Sequence, residues 1–289
     1  MTQFRTSAQV GIKQDLSNIV KDITPTDVPF VKSLKGETVG NYQFNWIEKD
    51  VTTGTKAAVA EGADVADAGT NYRTSKSNYT EIFAIGVEVS DTSAAVTQAG
   101  GAAYAERVSD AMKQILRQKE QVYLNGQTSS GTISNRKTAS LQAQVATALN
   151  YDKAGASMTK AFLDTALQDT YNGGGVVDTV YCEPSMKPKL TTLLTTARVT
   201  REAGQGKVIT DSVDIYQSDF GDVNIIIDRH ILAADIALVD SSCVSDCVLI
   251  PMNNKSLAET GLGKKSLINT ECGLKLTHSK GASIIHNVV

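Results

Sequence analysis

Residues 100–125, GGAAYAERVSDAMKQILRQKEQVYLN, decide the architecture of this chain. Gly100 and Gly101 break the backbone before the stretch, and Asn125-Gly126 supplies a left-handed stop after it. Between them Ala105, Val108, Met112, Ile115 or Leu116, Lys119 and Val122 recur at steps of three and four, the period of a helix. Glu106, Arg107, Asp110, Lys113, Arg117 and Glu120 are expected to cover the other faces, leaving Val108, Met112, Ile115, Leu116 and Val122 as the core-facing set. A helix of roughly 25 residues is about 37 Å long. Periodicity alone favours an ordinary amphipathic core helix. The narrow stripe and charged flanks predict instead a spine crossed by other elements, and the neighbouring sequence supports that.

Upstream, residues 36–90 carry two alternating runs. Tyr42, Phe44 and Trp46 predict a strand over Asn41–Ile47 with one aromatic face; Tyr79, Phe83, Ile85, Val87 and Val89 predict a second over Tyr79–Ser90. The Thr-, Gly-, Ala- and Ser-rich stretch Thr52–Asn78 between them reads as their connecting loop. Two strands alone in water are marginal, so their apolar face must be covered by distant parts of this chain or by another copy, and another copy is the favoured cover. Before the hairpin, Pro25 and Pro29 hold residues 22–30 extended, with Val28, Phe30, Val31 and Leu34 as anchors. Asp15–Val20 is short and helix-compatible.

Downstream, Ser157–Tyr171 and Lys187–Thr196 read as helices, and Val176–Cys182 as a buried strand. Val213–Tyr216 and Val223–Asp228 read as strands around the turn Ser218-Asp-Phe-Gly221, and Ile236–Val239 and Cys247–Ile250 as further strands. Arg198–Thr210 is a polar loop. This alternation predicts a compact α+β domain. The tail ends in strands around Leu274, Leu276, Ile284 and Ile285.

Composition narrows the function. The 289 residues are 41% hydrophobic and 20% charged, with 28 basic against 31 acidic side chains and a net charge of −3. A nucleic-acid grip needs a basic excess or stripe, and neither is present. The segment Val223–Val239 is the most apolar but carries Asp228, Arg229, His230 and Asp235, so no membrane span is expected. Residues 1–30 hold no uninterrupted apolar core, so no signal peptide is expected. The four cysteines, Cys182, Cys243, Cys247 and Cys272, form no CxxC pair and read as buried reduced thiols, with no metal site. Gly204-Gln-Gly-Lys207 and Gly261-Leu-Gly-Lys264 both fail the phosphate-loop pattern. Asn78-Tyr-Thr80 and Asn254-Lys-Ser256 are glycosylation sequons by pattern only. His230, His278 and His286 lie far apart, and the carboxylates are dispersed. No catalytic constellation and no cofactor site emerge, so the protein is not expected to be an enzyme; a hydrolase built on His230 with Asp228 is the least favoured alternative.

Three blocks carry a resemblance. The segment Asp15-Leu-Ser-Asn-Ile-Val-Lys-Asp-Ile-Thr-Pro-Thr-Asp-Val-Pro-Phe30 resembles the N-terminal signature of tailed-bacteriophage major capsid proteins, the SU-10-like major head proteins. Trp46, Glu61-Gly62, Val87-Glu-Val-Ser90 and the spine helix follow in that family's order. Tyr216-Gln-Ser-Asp-Phe-Gly221 with Ile227-Asp-Arg-His230, and Leu257-Ala-Glu-Thr-Gly261 with Lys264-Lys265 and Glu271-Cys-Gly-Leu-Lys-Leu276, are similar second and third blocks. The family carries an acidic residue and an aromatic before Thr-Leu near Glu271, where this chain reads Glu-Cys-Gly-Leu.

The resemblance implies the Hong Kong 97 (HK-97) capsid fold, α+β. Its expected parts here are an N-terminal arm over 1–35, an extended two-stranded loop over 36–90, a peripheral domain with the spine helix over 91–154, an axial domain over 155–245, and a return to the peripheral domain over 246–289. It implies a major capsid protein that assembles as hexamers and pentamers into an icosahedral head enclosing double-stranded DNA without sequence-specific binding. Assembly is expected in the host bacterial cytoplasm, with a portal, possible decoration proteins and a separate scaffolding protein, since the chain begins directly with the arm. Pro25, Pro29, Phe30, Tyr42, Phe44, Trp46, Tyr79 and Phe83 are the expected subunit-interface residues. An encapsulin-like nanocompartment shell of the same fold is the nearest alternative.

Overall fold

The structure, a computed structural model, describes residues 27–50, 58, 60–64, 72–96, 102–195, 215–258 and 261–288. The expected loop at Arg198–Thr210, the short helix at Asp15–Val20 and Pro25 lie outside them. Among the described residues, two sheets and a hairpin account for the strands. The chain enters through a single helical turn α1 (Pro29–Ser33), followed by β1 (Lys35–Thr38) and β2 (Gln43–Asp50). β3 (Tyr72–Tyr79) and β4 (Glu81–Ser90) lead into the short α2 (Asp91–Ala95) and the long α3 (Ala103–Leu124). Next come α4 (Leu141–Gln144), β5 (Asn150–Asp152), α5 (Lys160–Asn172), β6 (Thr179–Cys182) and α6 (Met186–Thr195). The chain closes with β7 (Ile215–Ser218), β8 (Gly221–Ile227), β9 (Ile236–Val239), β10 (Val244–Ser256), β11 (Gly263–Leu276) and β12 (Ala282–His286).

The first sheet has the order β1-β10-β11-β4, with β1 parallel to β10 and the other pairs antiparallel. The spine helix α3 packs on β4 and β11. The second sheet has the order β5-β12-β9-β6-β8-β7. Its inner strands β6 and β9 are buried along their whole length, as continuous apolar runs should be when both faces of a sheet are covered. Side chains alternate between two cores. Tyr181, Ala237, Val239 and Ile284 face the core shared with α3 and the first sheet. Val180, Cys182, Ile236, Leu238 and Ile285 face a second core roofed by α5 and α6 through Leu163, Leu167, Met186 and Leu190. The six-stranded sheet is therefore a shared wall between two cores. Each large side chain fully buried there contributes about 1.5–3 kcal/mol relative to exposure.

Local chemistry explains the helix ends. The Thr159 hydroxyl accepts from the Phe162 N–H at the start of α5, and Ser140 does the same for Ala143 at α4. The spine stops where expected: Gly126 takes φ +68, and a Cβ there would fall 2.5 Å from the Gln142 amide oxygen.

Several expectations change. The partner of β2 in the hairpin is β3, all but its last residue inside the stretch Thr52–Asn78 read as a loop, with Gln43 opposite Tyr79 and Asp50 opposite Tyr72. β4, the run read as that partner, pairs instead with β11 in the first sheet. β3 is YRTSKSNY, almost wholly polar, so no apolar alternation marks it; its ladder with β2 holds it. Pro29 does not extend the arm but opens α1, where its missing N–H and fixed φ suit the first helical turn. The tail divides: β10 and β11 join the spine's sheet, whereas β12 joins the six-stranded sheet beside β5 and β9. On α3 the buried side chains are Ala111, Ile115, Lys119, Glu120, Tyr123 and Leu124, while Val108, Met112, Leu116 and Val122 are half-buried at the margins. Glu120, assigned to an outer face from its charge, is buried because the backbone of residues 30 and 31 covers it.

Candidate assembly surfaces

The hairpin β2–β3 forms no ladder with either sheet, so its root decides where it points. That root is a polar knot. Asn78, fully buried, donates through Nδ2 to Thr138 Oγ1 at 3.0 Å and to the Leu274 carbonyl at 2.6 Å. Its Oδ1 accepts from the Ala139 N–H at 2.8 Å. Thr80 Oγ1 donates to Glu271 Oε1 at 2.7 Å, and Arg136 Nη2 donates to the same oxygen at 2.5 Å. Glu81 Oε2 accepts from Gln127 Nε2 and from the Thr138 N–H. Higher up, Glu48 accepts from both the N–H and the hydroxyl of Ser279.

The aromatic face of β2 lies on this root. Phe44 is buried and stacks on Trp46 with ring centroids 6.0 Å apart. Gly273 makes that contact possible, since a Cβ there would sit 2.8 Å from the Tyr79 carbonyl oxygen and 2.9 Å from the Phe44 ring. At the described end of the hairpin, this chain itself covers the aromatic face. The outward face keeps Ile47 66% exposed.

A second knot lies where the spine meets the six-stranded sheet. Glu120 Oε1 and Oε2 accept the N–H groups of Phe30 at 2.8 Å and Val31 at 2.7 Å. Phe30 meets the Tyr181 ring edge-on at 5.3 Å, and the Ser33 and Tyr181 hydroxyls are 2.8 Å apart. Asp228, fully buried in the turn after β8, accepts the His230 backbone N–H at 2.8 Å. Burial first, and then the Asp228 carboxylate within hydrogen-bonding reach, push the Glu120 carboxyl up to about 8. Burial likewise pushes the Tyr181 phenol up to about 12. Beside this knot, Lys119 pairs with Asp246 at 2.5 Å, and Tyr123 Oη donates to Asp246 at 2.8 Å.

The residues expected at subunit interfaces thus separate. Phe30, Phe44 and Phe83 are buried within this chain, Trp46 and Tyr79 are half-buried, and Tyr42 is exposed with the Arg136 guanidinium 5.2 Å above its ring. Pro29 is half-buried at the start of α1, and Pro25 lies outside the described residues. Among the described residues, the large apolar side chains with the greatest fractional exposure are Ile133, Leu262, Ile47 and Ile215. Ile133 and Leu262 belong to turns, where no periodicity marks a function. Asp228 contacts the backbone N–H of His230 and not its ring, so the two do not form a side-chain acid–base dyad. Among the described residues, no group of three or more metal-ligating side chains converges, and no helix is long and apolar enough to cross a membrane.

A family model described as SU10 major capsid protein matches residues 1–289. A comparison with curated protein sequences gives no match. Among solved structures, the chain is similar to the capsid asymmetric unit of cyanophage A-1(L), at TM-score 0.74 and 11% identity, covering 96% of this chain and 97% of that one. It is also similar to the holo-SrpI encapsulin complex of Synechococcus elongatus PCC 7942, at TM-score 0.65 and 12% identity over 99% and 96% of the chains. A structure from Mycobacterium phage Adephagia matches at TM-score 0.65 and 10% identity over 99% and 98%.

Proposed function

Because the chain belongs to the SU10 major capsid protein family and has the HK-97-type capsid fold, we propose that it assembles as hexamers and pentamers into the icosahedral head of a tailed bacteriophage, enclosing double-stranded DNA. The observation that carries this reading is the family match along the entire chain. In the proposed mapping, the six-stranded sheet with α5 and α6 is the axial domain, the first sheet with α3 is the peripheral domain, and β2–β3 is the extended loop. A hairpin rooted by buried hydrogen bonds, with an exposed outer face, is suited to lie across a neighbouring copy. At ~25 cal/mol per Å² of apolar surface, such a contact offers several kcal/mol before ordering costs. Many weak contacts close a container while leaving errors reversible. A net charge of −3 suits a wall that confines DNA without adsorbing it. A scaffolding protein and a portal, with assembly in the host cytoplasm, complete the proposal. Decoration proteins accompany the major capsid proteins in the similar phage G structure, and a decorated shell is proposed here by analogy.

The test is a shortened hairpin. Asn78 belongs to the root, so the cut must spare β3; residues 51–71 are replaced by Asn-Gly, which fits a two-residue turn between the paired Asp50 and Tyr72. The variant is expected to fold and to fail to close shells by negative-stain microscopy. Normal particles would overturn the role given to the hairpin. A nanocompartment is the second reading, favoured by the likeness to the SrpI encapsulin complex. Nuclease-protected DNA inside particles made during infection supports the phage head, and a protein cargo supports the compartment.

A further inference from the structure

Beyond shell building, the buried acids where the spine meets the six-stranded sheet have a chemistry of their own. Glu120 and Asp228 are both fully buried, and they approach within hydrogen-bonding reach. Two carboxylates cannot hydrogen-bond each other; one carboxylic acid and one carboxylate can. The satisfied atoms show which oxygen needs the proton. Glu120 uses one oxygen for Phe30 N–H and the other for Val31 N–H, and Asp228 Oδ1 takes His230 N–H. Asp228 Oδ2 is buried without a hydrogen-bond partner. A proton on Glu120 supplies the missing donor.

We propose that Glu120 and Asp228 share one buried proton, and that this proton locks α3, and with it α1, onto the turn after β8, so that the joint between the two sheets loosens as the pH rises. The elements around the pair frame the claim. From the α1 side come Asp27 and Lys32, already paired at 2.9 Å, and the Ser33 hydroxyl on Tyr181. On α3, Lys119 and Tyr123 both turn to Asp246, and Arg117 keeps a buried Nε without a hydrogen-bond partner. From β6 come Tyr181 and Cys182, whose acid forms burial favours up to about 12 and about 11. Asp178 acts on Tyr181, Arg229 acts on Asp27, and His230 contributes its backbone N–H to Asp228. Asn125 Nδ2 donates to the His230 carbonyl at 2.9 Å, a neutral second tie that keeps the joint aligned when the proton leaves.

The sign follows from linkage. An acid raised in the folded state adds stability that is complete below its ordinary value of 4.5 and is lost as pH rises through about 8. Within that window the folding equilibrium should weaken about tenfold per pH unit from this proton. Above it the contribution is flat.

The test uses the full chain. Infrared difference spectra between pH 7 and pH 10 should show a protonated carboxyl band that Glu120→Gln removes. Glu120→Gln places an amide donor where the proton was and gives up one of the two backbone N–H contacts, so its thermal midpoint should start lower but lose the wild-type decline between pH 6 and pH 9; in Asp228→Asn, where burial still acts on Glu120, the decline should shrink. His230→Gln should keep the decline. If Glu120→Gln does not fold, the infrared band and Asp228→Asn still decide. Absence of the band at pH 7, or an unchanged decline in a folded Glu120→Gln or Asp228→Asn, overturns the proposal.

Discussion

At the root of the hairpin, Asn78, Thr80 and Glu81 each meet complementary donors or acceptors. At the joint between the sheets, Glu120 and Asp228 bring two acids together. Both knots are buried, and both tie segments distant in sequence. The root joins β3, β4 and β11 to residues 127–139 through amides, hydroxyls, the Glu81 carboxylate on its two N–H donors, and one Arg136–Glu271 pair at 2.5 Å. Its strength should be indifferent to pH near neutrality. The joint depends on a proton, and its strength should not be. A shell protein must hold its projecting loop at a fixed angle while its two units adjust to positions around six- and five-fold axes. The chemistry of the knots matches that division.

The largest effect expected is at the root. Asn78→Ala leaves the buried Ala139 N–H without its acceptor and removes the amide donors to Thr138 and to the Leu274 carbonyl, which keeps only the Gln144 amide; it should lower the unfolding free energy by about 3 kcal/mol in urea denaturation. The loss should be the same at pH 6 and pH 9; a loss that varies with pH would erase the contrast between the knots. Gly273→Ala pushes a methyl group into the Tyr79 carbonyl and the Phe44 ring, at a cost of about 2 kcal/mol. By displacing the Phe44 ring that stacks on it, the change should also red-shift the fluorescence of Trp46, the chain's single tryptophan. Glu120→Gln should lower stability modestly at pH 6, because its amide nitrogen cannot accept one of the two backbone N–H groups, and should flatten the decline toward pH 9, the sign opposite to that of a carboxylate held in an ion pair. The smallest effect on folding is expected at Ile133→Ser: its side chain is 92% exposed, so monomer stability should stay within about 0.5 kcal/mol. A drop in shell yield with unchanged stability would mark it as an interface residue.

Much of the frame is written locally. The spine's glycine stop at Gly126, the turn between β7 and β8, and the apolar runs of β6 and β9 are short-range signals, and each element lies close to its expected position. The missed features are those set by distant partners. β3 carries no apolar pattern because β2 and the root hold it. Asn78 and Thr80 stand out in the sequence only as a sequon pattern, yet they anchor the hairpin through Thr138, Leu274 and Glu271. Glu120 reads as solvent-facing because its charge says so; its partners, residues 30, 31 and 228, lie far along the chain. An Asn and a Thr at the junction of two strand runs is the one signal from which the root was discoverable. The Glu120–Asp228 contact has no such sign. Family resemblance supplied what local patterns could not: that the hairpin and the spine belong to one shell subunit, in agreement with the family match over residues 1–289.

The central claim is that this chain builds a closed shell, and the direct measurement is electron microscopy with analytical sedimentation of the purified full-length protein, alone and with a co-expressed scaffold. Closed icosahedral particles, or hexamers and pentamers that convert to them, are the predicted result. A monomer or one small closed oligomer under every condition would contradict it.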